Sequence, residues 1–339
     1  KVYLPFKRSK NPFLDEIENH FSGSFHYGNY RDCNESFDII NIHWPEAIFR
    51  WLTPTQEKVN AFKRIFLKWK THSKIVYTVH NDHPHNSDLD VYKDLYDYIY
   101  MNSDGIIHLG DYSYEDYSKK GSKATSTVIR HPLYSSLNHH QSKEEARKKI
   151  NINEDHRVVL VTGKLRSEDE KKLILDSFNQ LPVKKKLLVV PSMQLSFNST
   201  SHLTKIYDKR ILRSFYKIHP SYRFNYEFVS NEDITNYLLA TDILFIPRIN
   251  TLNSGNIFLG FTFNKVVVGP NIGNLNEHLN MTGCPTFDPH DSKSASSALK
   301  AGLNMSQSPP NILEKSESLR PEIIAQEYHS FFDKLLKNA

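Results

Sequence analysis

The fold class predicted from the sequence is α/β, built as two αβ domains of similar size. Three observations predict it. Short apolar runs of strand length alternate with amphipathic stretches of helix length, which implies parallel strands joined by crossover helices. A polar segment, LYSSLNHHQSKEEARKKININEDH, interrupts that alternation after Pro132, and the pattern restarts at RVVLVTGK. The chain of 339 residues is long enough for two cores of ordinary size.

The first half reads as strands Val2 to Leu4, Phe37 to Ile42, Lys74 to Val79, Gly105 to His108 and Thr127 to Ile129, with helices over Pro12 to Phe21, Thr55 to Lys70 and Asp90 to Asn102. These define a domain over residues 1–140. The second half reads as strands Val158 to Thr162, Lys186 to Pro191, Tyr222 to Phe228, Ile243 to Pro247 and Lys265 to Gly269. Its helices are expected over Asp169 to Leu181, Ile206 to His219, Asn231 to Thr241, Ser254 to Phe263 and Lys293 to Leu303, giving a domain over residues 151–310. A last helix over residues 319–337 follows the breaker SQSPPN and suits either domain.

Composition narrows the function classes. With 39% hydrophobic and 24% charged residues the chain is globular rather than disordered. The net charge of +5 fits a phosphate-bearing ligand or an anionic membrane surface, and is too small to demand nucleic acid. Cys33 and Cys284 form neither a disulfide framework nor a zinc spacing, so a reducing compartment is expected. No apolar run approaches the roughly 18 residues of a membrane span, and KVYLPFKRSK is too short and broken for a signal peptide. A cytoplasmic protein is the expectation. The stretch Val59 to Lys70, VNAFKRIFLKWK, has two readings: a basic amphipathic helix peripheral on the inner membrane, or a core-facing stripe with a solvated basic face.

In open α/β sheets ligands bind beyond the carboxyl ends of strands, so the loops that follow strands hold the candidates. After Ile243 to Pro247 comes the loop Arg248 to Asn253 and then a helix start, with Asn253 or Ser254 as N-cap. Gly255 removes a side chain there, Asn256 follows, and free amides with the positive helix end make an anion site to which Arg248 adds charge. After Val158 to Thr162 comes Gly163, with Lys164 and Arg166 as cations for a diphosphate.

These stretches carry a resemblance. Residues Leu238 to Leu279, LLATDILFIPRINTLNSGNIFLGFTFNKVVVGPNIGNLNEHL, resemble the donor-binding half of GT-B glycosyltransferases, especially glycosyltransferase family 4. The matching pieces are Thr241-Asp242, Ser254-Gly255, Asn264-Lys265-Val266-Val267, and the turn Gly273-Asn274-Leu275-Asn276-Glu277. VVLVTGKL is similar to the family's Gly-Arg-Leu strand and loop, with Lys164 in place of Arg. The resemblance implies the GT-B fold, two Rossmann-like domains facing each other across a cleft, with a nucleoside-diphosphate sugar (UDP or GDP) bound mainly by the second and an acceptor bound mainly by the first. No resident cofactor is implied. Gly163, Lys164, Arg166, Arg248, Asn253, Ser254, Gly255 and Asn256 would hold the donor, joined by Glu277 and by His131 of IRHPLY. Retaining members carry a Glu-x7-Glu pair whose second Glu lies on the helix after the glycine loop. Here that helix reads NIFLGFTFNK, with Leu259 and Gly260 at the nearest matching positions.

DIINIHWPEAIFRW places His43, Trp44 and Glu46 after one strand, and IVYTVHNDHPHNSD places His80, Asn81, Asp82, His83 and His85 after the next. Similar stretches occur in bacterial polysaccharide glycosyltransferases. A sugar hydroxyl is a poor nucleophile and inversion needs a general base. Asp82 comes first for that role, followed by His80, His85 and Glu46. His43, Trp44 and Asn81 are the acceptor-side contacts, Trp44 offering a flat ring face. The turn containing Pro84 denies the histidines the helical convergence of a metal site, so no metal is expected. The expected activity is sugar transfer to a saccharide or lipid-linked saccharide acceptor in surface polysaccharide assembly. A non-catalytic saccharide-binding protein on the same frame and a nucleotide-sugar epimerase are the alternatives.

Overall fold

The computed structural model describes residues 1–8, 11–33, 37–82, 90–137, 141–193, 213–225, 231–308 and 310–337. The chain divides into two compact units. One comprises Lys1–Ser135, Thr251–Asn253 and Ser318–Ala339; the other comprises Ser136–Asn250 and Ser254–Glu317.

In the first unit six strands are described: β1 (Val2–Leu4), β2 (Phe25–Tyr27), β3 (Ile39–Ile42), β4 (Lys74–Val79), β5 (Gly105–His108) and β6 (Thr125–Val128). All pair in parallel, in the order β2-β1-β3-β4-β5-β6. Successive residues serve opposite faces, as the pleat dictates. Ile75, Tyr77 and Val79 join the core beneath the helices Gln56–Trp69 and Asp90–Asn102. Val76, between them, joins the opposite core with the helices Pro12–Glu18 and Pro321–Lys337. The last helix therefore belongs to the first unit, where Tyr328, Phe331, Phe332 and Leu335 cover the sheet.

The helix Gln56–Trp69 decides between the two readings of the basic stretch. Val59, Phe62, Phe66 and Trp69 are all buried in the core, each large side chain contributing about 1.5–3 kcal/mol of burial. Lys63 pairs with Asp94 at 2.7 Å, and Lys70 reaches Asp104 at 3.1 Å. The apolar stripe is thus spent on folding and is not available to a bilayer. No described helix is long and apolar enough to cross a membrane.

The second unit holds β7 (Arg157–Leu160), β8 (Lys186–Val190), β9 (Tyr222–Phe224), β10 (Ile243–Phe245), β11 (Val266–Pro270) and β12 (Thr286–Phe287), again parallel, in the order β12-β11-β10-β7-β8-β9. The chain runs outward from β7 to β9, then returns to the other side of β7 for β10. That reversal is a topological switch point, and crevices for ligands form there at the carboxyl ends of strands.

Several elements differ from the sequence reading. β2 and β12 are edge strands of three and two residues, too short for a periodic signal. The polar segment between the domains contains a helix, Lys143–Lys149, started by a capping box of Ser142 and Glu145. The turn expected at Gly273 to Glu277 is the start of a helix, Gly273–Thr282. Of the helix expected over Ile206 to His219, only Arg213–Ile218 lies within the described residues.

Candidate functional site

In the second unit the loops after β7 and β10 meet. Gly163 has φ of +82°, the left-handed region that glycine adopts without a Cβ penalty. A Cβ there would stand 3.2 Å from Asn256 Nδ2 and 3.5 Å from Arg248 Nη2. Asn256 Nδ2 donates to the Thr162 carbonyl at 3.1 Å, and Arg248 Nη1 donates to the Lys164 carbonyl at 3.1 Å. Four of the expected donor residues, Gly163, Lys164, Arg248 and Asn256, therefore converge at the switch point.

Arg248 is buried, and its counter-charge is Glu170, whose Oε2 accepts from Nη1 at 2.7 Å. The same oxygen accepts from the Arg166 amide at 2.7 Å. Glu170 escaped the sequence reading, although Ser167 three residues before it supplies the S-x-x-E signal of a helix start. Ser167 does cap the helix Glu168–Gln180, but the Glu170 carboxylate leaves that motif to hold Arg248 in place. Arg166 lies alongside with its side chain reaching solvent. Partial desolvation, and then the charge of Arg248, draw its guanidinium down to about 10, so it stays a cation at neutral pH.

Ser254 is the N-cap of the helix Gly255–Thr262, and its side chain makes no capping hydrogen bond. The first amides of that helix are left to another acceptor. Within the helix, Gly260 faces the sheet: a Cβ would stand 2.4 Å from Val267 Cγ2 and 3.1 Å from Leu244 Cδ2. No acid fits at that position, which accounts for one of the two places matching the family's helix Glu. Leu259 is half-buried. Glu277 is half-buried one turn into the helix Gly273–Thr282, which follows β11, the neighbour of β10.

Two residues of the resemblance motif serve the amino edge of the sheet instead. Asp242 Oδ2 accepts from the Val158 amide at 2.6 Å and pairs with Arg147 at 3.0 Å, tying β7 to the helix Lys143–Lys149. Lys265 Nζ donates to the Leu239 and Thr241 carbonyls at 3.0 and 3.1 Å, and burial first, then the charge of Lys143, pulls it down to about 8.

In the first unit the loops after β3, β4 and β6 gather around Phe13. Its ring lies 5.7 Å from His43, 6.2 Å from Trp44, 4.9 Å from His80 and 4.7 Å from His131. His43 Nδ1 and His80 Nε2 share a hydrogen bond of 2.9 Å. Burial holds His43 down to about 3, so it is neutral. Trp44 is itself buried and stacks on His80 at 4.3 Å. Its expected open face for a sugar ring is therefore taken by an imidazole, and Trp44 positions His80.

His131 is buried in the same cluster. Nδ1 lies 2.6 Å from the Pro132 carbonyl and Nε2 lies 3.2 Å from the Tyr134 hydroxyl, so both nitrogens are engaged within the unit. Burial lowers it to about 3, against a smaller upward pull from Pro132, leaving a neutral imidazole. Asn253 Nδ2 donates to the His80 carbonyl at 2.8 Å, which fastens Thr251–Asn253 to the first unit.

Asp82 is half-buried, and its Oδ1 accepts from the Tyr117 hydroxyl at 2.8 Å. Burial first, with the Tyr77 and Asp82 charges behind it, raises Tyr117 well above its ordinary range, so it remains a donor. Glu46 is buried beside Tyr77, Tyr92 and Tyr96, whose hydroxyls it helps keep protonated after the larger effect of burial. Asn81 is buried; His83 and His85 lie outside the described residues. Among the described residues no three His, Cys, Asp or Glu side chains converge on a metal position.

Two parallel six-stranded sheets flanked by helices, with loops gathered at their carboxyl edges, define the GT-B fold class of glycosyltransferases. Solved structures match it along most of the chain. HepE of Anabaena, in complex with UDP, is 14% identical with a TM-score of 0.71, covering 98% of this chain and 99% of its own. A glycosyltransferase from Rickettsia africae is 15% identical with a TM-score of 0.66, covering 98% and 84%. Sucrose-phosphate synthase from Thermosynechococcus elongatus is 14% identical with a TM-score of 0.69, covering 91% and 76%. At these identities the likeness is one of fold. No protein-family model matches the chain, and no curated protein matches it in sequence.

Proposed function

We propose that the chain is a nucleotide-sugar-dependent glycosyltransferase that moves a sugar from UDP or GDP to a hydroxyl of a saccharide or lipid-linked saccharide, in surface polysaccharide assembly. The observation that carries the reading is the convergence of Gly163, Arg248 and Asn256 at the switch point of the second unit. HepE was solved with UDP, with UDP and glucose, and with UDP-glucose, which supports a uridine nucleotide as the donor.

In this reading the diphosphate lies against the Gly163 loop and the first amides of the helix Gly255–Thr262. Arg248, Lys164 and Arg166 offset its charge. As the glycosidic bond to the donor breaks, negative charge grows on the departing phosphate, and cations and helix amides fixed in advance stabilise it without reorganising. Glu170 supplies the fixing, since it holds the buried guanidinium in one orientation. The side chains and amides carry the diphosphate without a metal ion.

Asp82 takes the proton of the acceptor hydroxyl. Tyr117 occupies Oδ1 and orients the carboxylate, and Oδ2 keeps no partner among the described residues. His80 is less suited, because its Nε2 faces His43 and its ring face is covered by Trp44.

The test is a melting-temperature titration with UDP and GDP, followed by turnover of UDP- and GDP-sugars in chelator. A ligand at 100 times its Kd stabilises the folded state by about 2.7 kcal/mol, a shift of several degrees. Absence of any shift with either nucleotide would remove the donor site. Isomerised sugar with no transfer would favour the epimerase.

A further inference from the structure

The first unit contains a concave feature whose lining includes none of the histidines or Asp82. A hollow of about 320 Å³, open to solvent, lies between the segment after β2 and the segment Ile48 to Pro54 that leads into the helix Gln56–Trp69. Its buried aromatic lining is Tyr30 and Phe49, whose rings lie 5.7 Å apart. Arg31, Arg50 and Lys58 also line it, and no carboxylate does among the described residues.

These three cations are not part of any ion pair among the described residues. Arg31 Nε donates to the Tyr30 hydroxyl at 2.9 Å with its guanidinium over that ring, which sets its direction and leaves both terminal nitrogens without a partner among the described residues. Lys58 sits in the first turn of a 14-residue helix, the end where the dipole disfavours a cation. Three exposed like charges on one hollow give it a positive potential that favours an anion, most strongly at low salt.

A strained backbone presents the second of them. Arg50 and Trp51 have φ of +56° and +63°, consecutive left-handed residues without glycine. Such a pair costs of order 1–2 kcal/mol per residue and persists only where the surroundings enforce it. Here the Arg50 and Trp51 amides donate to the Ala47 and Glu46 carbonyls at 3.0 and 2.9 Å, and the turn keeps Arg50 on the hollow.

We propose that this hollow binds an anionic group, phosphate or carboxylate, borne by a saccharide, with Arg31, Arg50 and Lys58 on the anion and the buried rings of Tyr30 and Phe49 forming its floor. That the saccharide is the acceptor rests on the transferase reading. The anion site stands without it.

The experiment is calorimetry on the full chain with glucose, glucose 6-phosphate, glucuronate and inorganic phosphate, each with and without saturating UDP. At least one anionic sugar should bind tenfold or more tightly than glucose and lose affinity as salt is raised. Whichever of glucose 6-phosphate and glucuronate binds better identifies phosphate or carboxylate as the anion. Arg50→Gln and Lys58→Gln should each weaken that binding about tenfold while leaving the UDP affinity unchanged. The site is overturned if neither anionic sugar exceeds glucose, or if binding survives in a folded Arg31→Gln, Arg50→Gln, Lys58→Gln triple variant. Inorganic phosphate binding as tightly as the sugar phosphate would overturn the saccharide assignment. UDP binding retained while these arms fail leaves the transferase reading standing; UDP binding absent while they succeed removes that reading and not the hollow.

Discussion

The carboxyl edges of the two sheets are built alike and charged differently. The first gathers His43, His80 and His131 around Phe13, with burial holding His43 and His131 neutral, and carries Asp82, two residues after His80, under a tyrosine hydroxyl. The second gathers Arg248, Lys164 and Arg166 around a glycine, with one buried carboxylate to hold Arg248. An aromatic edge of neutral imidazoles with a carboxylate at its rim suits a neutral hydroxyl and the loss of its proton. A cationic edge with free helix amides suits a diphosphate. Topology alone does not make this division, since both sheets present six parallel strands; the side chains after the strands do.

The contrast can be broken most severely at Asp82. Asp82→Asn should lower transfer by about 10²–10⁴-fold with UDP affinity unchanged, measured by initial rates and calorimetry. Near-normal rates would take the acid away from the first edge. The next effect is on stability and concerns His43, His108 and His131, which burial depresses to about 3, 4 and 3. Their ordinary value is near 6.5, so between about pH 6.5 and 4 the unfolded chain binds roughly three protons that the folded chain refuses. Stability contributed by the neutral rings is therefore complete above pH 6.5 and is lost as pH falls toward 4. Urea denaturation across that range should show the slope, and His131→Gln should flatten it by about one proton.

Smaller effects test the second edge. Asn256→Asp places a carboxylate beside Gly163 and should weaken UDP binding about tenfold, with the loss reduced at high salt. Unchanged affinity would move the diphosphate elsewhere. Gly163→Ala should cost only a few-fold, because the 3.2 Å approach to Asn256 Nδ2 and the left-handed backbone both oppose a Cβ without blocking the loop. Both variants should leave the pH slope of the first edge untouched.

Much of this was legible in the chain. The apolar runs at Ile75 to Val79, Leu187 to Val190 and Val266 to Val268 announce buried strands because both faces of a parallel sheet are covered. Gly163, Arg248 and Asn256 were legible as candidates because they follow strands, and loops after strands are where such sheets bind ligands. The remainder depended on partners far away in sequence. Nothing local to Trp44 or His131 says that His80 and Tyr134 will take their faces and nitrogens. Glu170 reads as a helix cap until Arg248, 78 residues later, arrives beside it. The apolar stripe of Gln56–Trp69 would suit a bilayer and a core equally, and only the packing of Phe62 and Trp69 chose the core.

The sequence by itself determined the strand and helix alternation, the two units and the loops that hold the candidate residues, since periodicity, breakers and caps are local properties of the chain. Tertiary structure decided which of those side chains remain open to a ligand. Exposure, ion pairing and protonation depend on what burial removes from water, and that is set by residues brought together from distant parts of the fold.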